Sequence, residues 1–150
     1  MNYFILASSS TLAASRIARH IVRDVPGSAC HICTSIKTIG NNLQEVVRQS
    51  CTAILLASNH TELDQILQLA DFFEGLPLIL MVPDESAGTI AKAHLLRPRY
   101  LMRSRIDFGE LLAVIKKIGA GRKHVFCIEP MRSRLRVITV AEKRLGRLFN

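Results

Sequence analysis

No run of apolar residues in this chain approaches the roughly 18 to 20 that cross a bilayer. The opening Met-Asn-Tyr-Phe-Ile-Leu-Ala also lacks the basic segment that begins a secretory signal. A cytoplasmic protein with no membrane partner is expected. Four cysteines in 150 residues are too few for a disulfide framework, and a domain of this length can bury a core without one. There is no Gly-Lys-Ser phosphate loop, no Gly-x-Gly-x-x-Gly and no serine at a nucleophile elbow. The five histidines are scattered, with no His-x-x-x-His pair. No enzyme, cofactor or metal is therefore expected.

What is present suits a folded domain: 49% of residues are hydrophobic and 21% charged. The net charge of +8 is unevenly spread. Residues 1–119 carry 12 basic and 10 acidic side chains, whereas residues 120–150 carry 8 and 2. The chain thus divides into a domain over 1–119 and a basic extension over 120–150. Such a tail either tracks phosphates or presents a solvated face; its candidate nucleic-acid contacts are Arg132, Arg134, Arg136, Lys143, Arg144 and Arg147.

Apolar runs and helical patterns alternate through the first 118 residues. Tyr3 to Ala7 reads as a strand, with Ser8, Ser9, Ser10 and Thr11 as N-cap candidates for a helix whose apolar face is Leu12, Ile17, Ile21 and Val22. Pro26-Gly27 stops it. A second strand is read over Ala29 to Ile36, a short helix around Leu43, Val46 and Val47, and a wholly apolar third strand over Thr52 to Ala57. The next helix is placed from about Thr61, running through Phe73 to a stop at Gly75. Leu78 to Val82 is the fourth strand, Ile90 to Leu96 a helix, Tyr100 to Arg103 the fifth strand, and Phe108 to Ile118 the last helix. This rhythm predicts an α/β fold: a (βα)5 doubly wound, parallel five-stranded sheet of flavodoxin-like kind, with function at the carboxyl edge of the strands.

Over residues 2–118 the order of elements resembles the receiver domain of two-component response regulators. The resemblance is carried by the polar patch after strand one, the apolar third strand ending at Ala57, the Pro-Leu-Ile-Leu-Met strand from Pro77 to Met81, and Tyr100-Leu101-Met102-Arg103 followed by Glu110-Leu111-Leu112. It implies a site holding Mg²⁺ on an acidic pair, a phosphorylatable Asp, a hydroxyl and a Lys-Pro pair. Those positions fall here on Ser8 and Ser9, Ala57 with its neighbour Ser58, Val82, Arg103 and Ser104. No carboxylate precedes Asp24 and none lies between residues 46 and 61, so no small shift of register restores the pattern. Aspartyl phosphorylation is not expected, because an acyl phosphate needs a carboxylate nucleophile. The expectation is a degenerate receiver that signals by protein contact or dimerisation and regulates transcription.

Several other readings of the same residues remain. Ser8, Ser9, Ser10, Ser58, Asn59 and Arg103 could converge at the carboxyl edge and hold an anion, as in a flavodoxin-like ligand-binding protein. Few aromatics (5%) and no glycine among Ser8 to Thr11 argue against a flavin. Cys30 and Cys33 have Cys-x-x-Cys spacing, but on a strand they point to opposite faces, so buried cysteines are expected. In the tail, Ala120 to Lys123 reads as a hinge, Val125 to Ile128 as extended and Met131 to Arg136 as a connector. Ile138 to Leu145 is similar to the opening of LuxR-type helix-turn-helix domains, with Thr139 as N-cap and Glu142 in a capping box. The same stretch reads equally as an ordinary amphipathic helix over 137–149. In the first case the chain is the regulatory piece of a DNA-binding protein.

Overall fold

The computed structural model describes residues 1–35, 52–103, 105–120 and 135–137. Strand β1 (Asn2–Ala7) is central because five of its six residues, Tyr3 to Ala7, are apolar enough to be covered on both faces. On either side lie β2 (Ala29–Cys33) and β3 (Thr52–Leu56), followed outward by β4 (Leu78–Val82) and β5 (Tyr100–Arg103). All pairings are parallel, and the order including a sixth strand, β6 (Leu135–Val137), is β5-β4-β3-β1-β2-β6. The doubly wound five-stranded sheet is as expected. The tail departs from expectation: residues 135–137, read as part of a connector and the start of a helix, pair in register with Cys30, His31 and Ile32. The edge of β2 recruits them, a tertiary event that a three-residue segment does not announce.

Alternation along β1 splits the interior into two cores. Phe4 and Leu6 join Leu55, Leu80, Leu63, Ile66 and Phe73 on one face, where the Phe4 and Phe73 rings sit 6.0 Å apart. Tyr3, Ile5 and Ala7 join Ile54, Ile79, Ile17, Ile21, Leu111 and Ile115 on the other. The second face is covered by α1 (Thr11–Asp24) and α4 (Phe108–Ala120), the first by α2 (His60–Leu67), a 3-10 turn (Ala70–Phe73) and α3 (Ala87–His94). Cys33 belongs to one core and Cys30 to the other, so the two thiols face opposite ways as predicted. Burial pushes the Cys30 thiol up to about 12.

Helix boundaries differ from the sequence reading for identifiable reasons. The cap of α2 is Asn59 rather than a residue near Thr61: its Oδ1 accepts the Glu62 N–H over 2.8 Å. The helix also ends early, at Leu67, and the chain tightens into the 3-10 turn before Gly75, whose φ of +82° suits glycine. Ser86 caps α3 through the Thr89 N–H, starting that helix three residues ahead of Ile90. Ser10 stands at the N-cap of α1, but its side chain makes no cap bond. The strand β2 ends at Cys33, and α4 runs on through Ala120, the first residue of the expected hinge. The short helix around Leu43, Val46 and Val47 lies outside the described residues. Among the described residues no helix is long and apolar enough to cross a membrane.

Candidate functional site at the carboxyl edge

Parallel strands end together, so the residues after β1, β3, β4 and β5 share one edge. The strand order reverses between β1 and β3, where a cleft opens in folds of this kind. Ser8, Ser9 and Ser10 follow β1, and Ala57, Ser58 and Asn59 follow β3. Ala57 is fully buried, its N–H donating to the Met81 carbonyl over 2.9 Å. Val82 ends β4 at 1% exposure.

The centre of this edge is held by a carboxylate that the sequence assigns only to the first turn of a helix. Glu62, in the first turn of α2, folds back toward β1 and β3 and is only 6% exposed. Its Oε1 accepts the Ser8 hydroxyl over 2.8 Å, and its Oε2 accepts the Ser58 N–H over 2.6 Å. Desolvation, the largest single influence, would raise its pKa. Hydrogen bonds from Ser9, the Ser58 N–H, Ser8 and the Ser58 hydroxyl together outweigh it and hold the carboxyl below its usual range. Beside it the Ser10 and Ser58 hydroxyls are hydrogen-bonded at 2.5 Å. The signal for this arrangement was the Asn59-x-x-Glu62 spacing, a relative of the capping box in which the acid returns to a preceding backbone N–H.

The structure therefore brings Ser8, Ser9, Ser10, Ser58 and Asn59 together, around an internal carboxylate. Arg103 is not recruited to them. Its guanidinium is 66% exposed and pairs with Glu85, in the loop after β4. In the same loop Asp84 takes the Ser86 N–H over 2.9 Å and meets His60 Nε2 at 2.8 Å, joining the segments after β3 and β4. Hydroxyls of Thr89 and Ser86, the Ser86 N–H and His60 hold Asp84 well below the ordinary carboxylate range. The bonds of Asp84 to Ser86 and Thr89 place it at the start of the helix that follows. Ser104, Arg132, Arg134, Lys143, Arg144 and Arg147 lie outside the described residues, and Arg136 lies on β6.

Next to Glu62 is an open cavity of about 470 Å³ lined by Ser8, Thr34, Ser35, Asn59, Thr61, Glu62 and Gln65. Every lining residue carries a polar side chain, and the one charged residue among them, Glu62, is negative. A site of this composition repels anions unless Glu62 is protonated, and its lowered pKa opposes that.

No protein-family model and no curated protein matches the chain. Solved structures do. A response regulator receiver protein from Pseudoalteromonas atlantica is similar with a TM-score of 0.62 at 12% identity, over 82% of this chain and 100% of that one. A pilus assembly-related protein from Burkholderia pseudomallei gives a TM-score of 0.53 at 19% identity, over 80% and 90%. A pilus assembly protein from Burkholderia thailandensis gives 0.53 at 16% identity, over 80% and 98%. At such identities the likeness is one of architecture, and it is specific enough to name: the chain has a receiver-like fold.

Proposed function

We propose that the chain is a receiver-like signalling module that works without phosphorylation, through contact between protein surfaces that includes self-association. The observation that carries this reading is the placement of Glu62. In a phosphorylated receiver the carboxyl edge holds a free carboxylate nucleophile and a divalent cation. Here the end of β3 offers the methyl of Ala57, and the segment after β1 offers the neutral hydroxyls of Ser8 and Ser9. Mg²⁺ needs anionic oxygens, so this donor set does not fit it. The nearby carboxylate is occupied by hydrogen bonds from Ser8 and Ser58 and is poorly placed to attack a phosphoryl donor. A fixed internal charge stands where other members of the architecture carry a variable one.

The test is incubation with acetyl phosphate and Mg²⁺, followed by intact-mass measurement and sedimentation velocity. The expected result is no phosphoryl adduct and an association state indifferent to both reagents. A stable adduct, or an association state that responds to acetyl phosphate, overturns the proposal.

Transcription is the output that the basic extension and the helix-turn-helix resemblance at Ile138 to Leu145 support. A second output has its own support, since two of the solved structures described above are named for pilus assembly. Binding of the full chain to duplex DNA with a steep salt dependence favours the first; its absence favours an assembly partner. The ligand-binding alternative is weaker than the sequence suggested, because the seryl donors already serve Glu62 and Arg103 serves Glu85.

A further inference from the structure

We propose that the chain associates front to back, the arginine stripe on α1 of one copy lying against the acidic surface around α2 of the next. The proposal rests on the self-association reading above and gives that association a direction.

On α1, Leu12, Arg16, Arg19 and Arg23 follow one another at spacings of four, three and four residues. At about 100° per residue they fall within about 60° of arc, opposite the buried Ala14, Ile17, Ala18 and Ile21. All four are exposed, Leu12 to 73%. Arg16 leans over the Phe108 ring at 5.4 Å, Arg23 pairs with Asp24, and Arg19 has no ion pair among the described residues. The stripe is therefore cationic with one apolar end.

The other side of the sheet is its complement. Residues 49–91 contain six carboxylates and no lysine or arginine. Of these, Asp64, Asp71 and Glu74 are exposed along α2 and the 3-10 turn. Asp64 meets Lys92, while Asp71 and Glu74 have no ion pair among the described residues. On the same segments Leu67, Phe72 and Leu76 are only partly buried, apolar surface of the kind Leu12 can meet.

These two surfaces cover opposite faces of one sheet, so they cannot meet within a copy. Pairing either one with itself across a two-fold axis sets arginine against arginine or carboxylate against carboxylate. Joining them between copies pairs unlike charges and places apolar on apolar. Such a contact is heterologous: each copy keeps one free face of each kind, and the assembly grows instead of stopping at two.

The test is sedimentation velocity on the full chain and on two charge-reversed variants, Arg16→Glu with Arg19→Glu and Asp71→Lys with Glu74→Lys. All substituted positions are exposed, and circular dichroism checks that each variant folds. The wild type should grow past the dimer with concentration at about 0.05 M salt and shrink at about 0.5 M, where screening is stronger. Each variant alone should remain monomeric, and an equimolar mixture should regain assembly, because each supplies the face the other has reversed. Wild-type chain that stays monomeric at roughly 200 µM overturns both this proposal and the self-association reading. Association that stops at the dimer, is untouched by the reversals, or is not regained in the mixture overturns the front-to-back contact alone.

Discussion

Glu62 and Ser58 bond across the first turn of α2, the Ser58 N–H donating to Glu62 Oε2 over 2.6 Å, while Glu62 Oε1 takes the Ser8 hydroxyl that follows β1. One side chain thus ties the ends of two central strands to the start of a helix. It organises the edge where a receiver-like fold would otherwise be open.

Replacement of Glu62 by Gln should be costly although it is nearly isosteric. The amide offers one acceptor where two were used, and turns its NH₂ toward a donor, either the Ser8 hydroxyl or the Ser58 N–H. A loss of about 1–3 kcal/mol is expected, typical of a buried donor left unsatisfied. The urea midpoint should fall with the slope unchanged.

The same pair of proteins carries a pH signature. Glu62 has a lowered pKa in the fold against about 4.3 unfolded, so the unfolded state binds more protons between the two values. Its contribution is fully present above the unfolded pKa and is lost as pH falls through the folded one. The stability gap between wild type and Glu62→Gln should hold from pH 7 to about 5 and narrow below about 4, as read by denaturation in each buffer.

Two caps that look alike in sequence should behave differently. Asn59→Ala removes the acceptor for the Glu62 N–H and should cost about 0.5–2 kcal/mol. Ser10 stands at the N-cap of α1, but its hydroxyl meets Ser58 instead of the helix, so Ser10→Ala should cost under about 0.5 kcal/mol. Thermal midpoints of the two variants separate these expectations.

Cys30 should resist alkylation in the native state at pH 8. Its thiol is buried in the core under α1 and its pKa is about 12, leaving little thiolate. Iodoacetamide followed by peptide mapping should find Cys30 labelled at least about tenfold more slowly than in denaturant.

The parallel sheet was legible because β1, β3 and β4 are uninterrupted apolar runs bounded by turn residues, and the amphipathic face of α1 is regular. Glu62 was not. Its role depends on a side chain turning back over the helix terminus to meet Ser8, 54 positions earlier in the chain. Periodicity assigns a first-turn acid to the helix dipole and goes no further. The strand at Leu135–Val137 escaped notice for a related reason: three residues alternating with an arginine become a strand only where the β2 edge accepts them. Arg103 illustrates the opposite error. Position alone placed it with the serines, whereas the nearer charge of Glu85 claims it.

The division of the interior by the sheet has a kinetic consequence. Cys30 and Cys33 sit three residues apart on one strand yet on different sides of a wall, one sealed by α1 and α4, the other by α2 and α3. A fluctuation that lifts one helical layer leaves the other closed. The two thiols are thus separate clocks for two local openings, and the order in which they react tells which layer of the molecule breathes first.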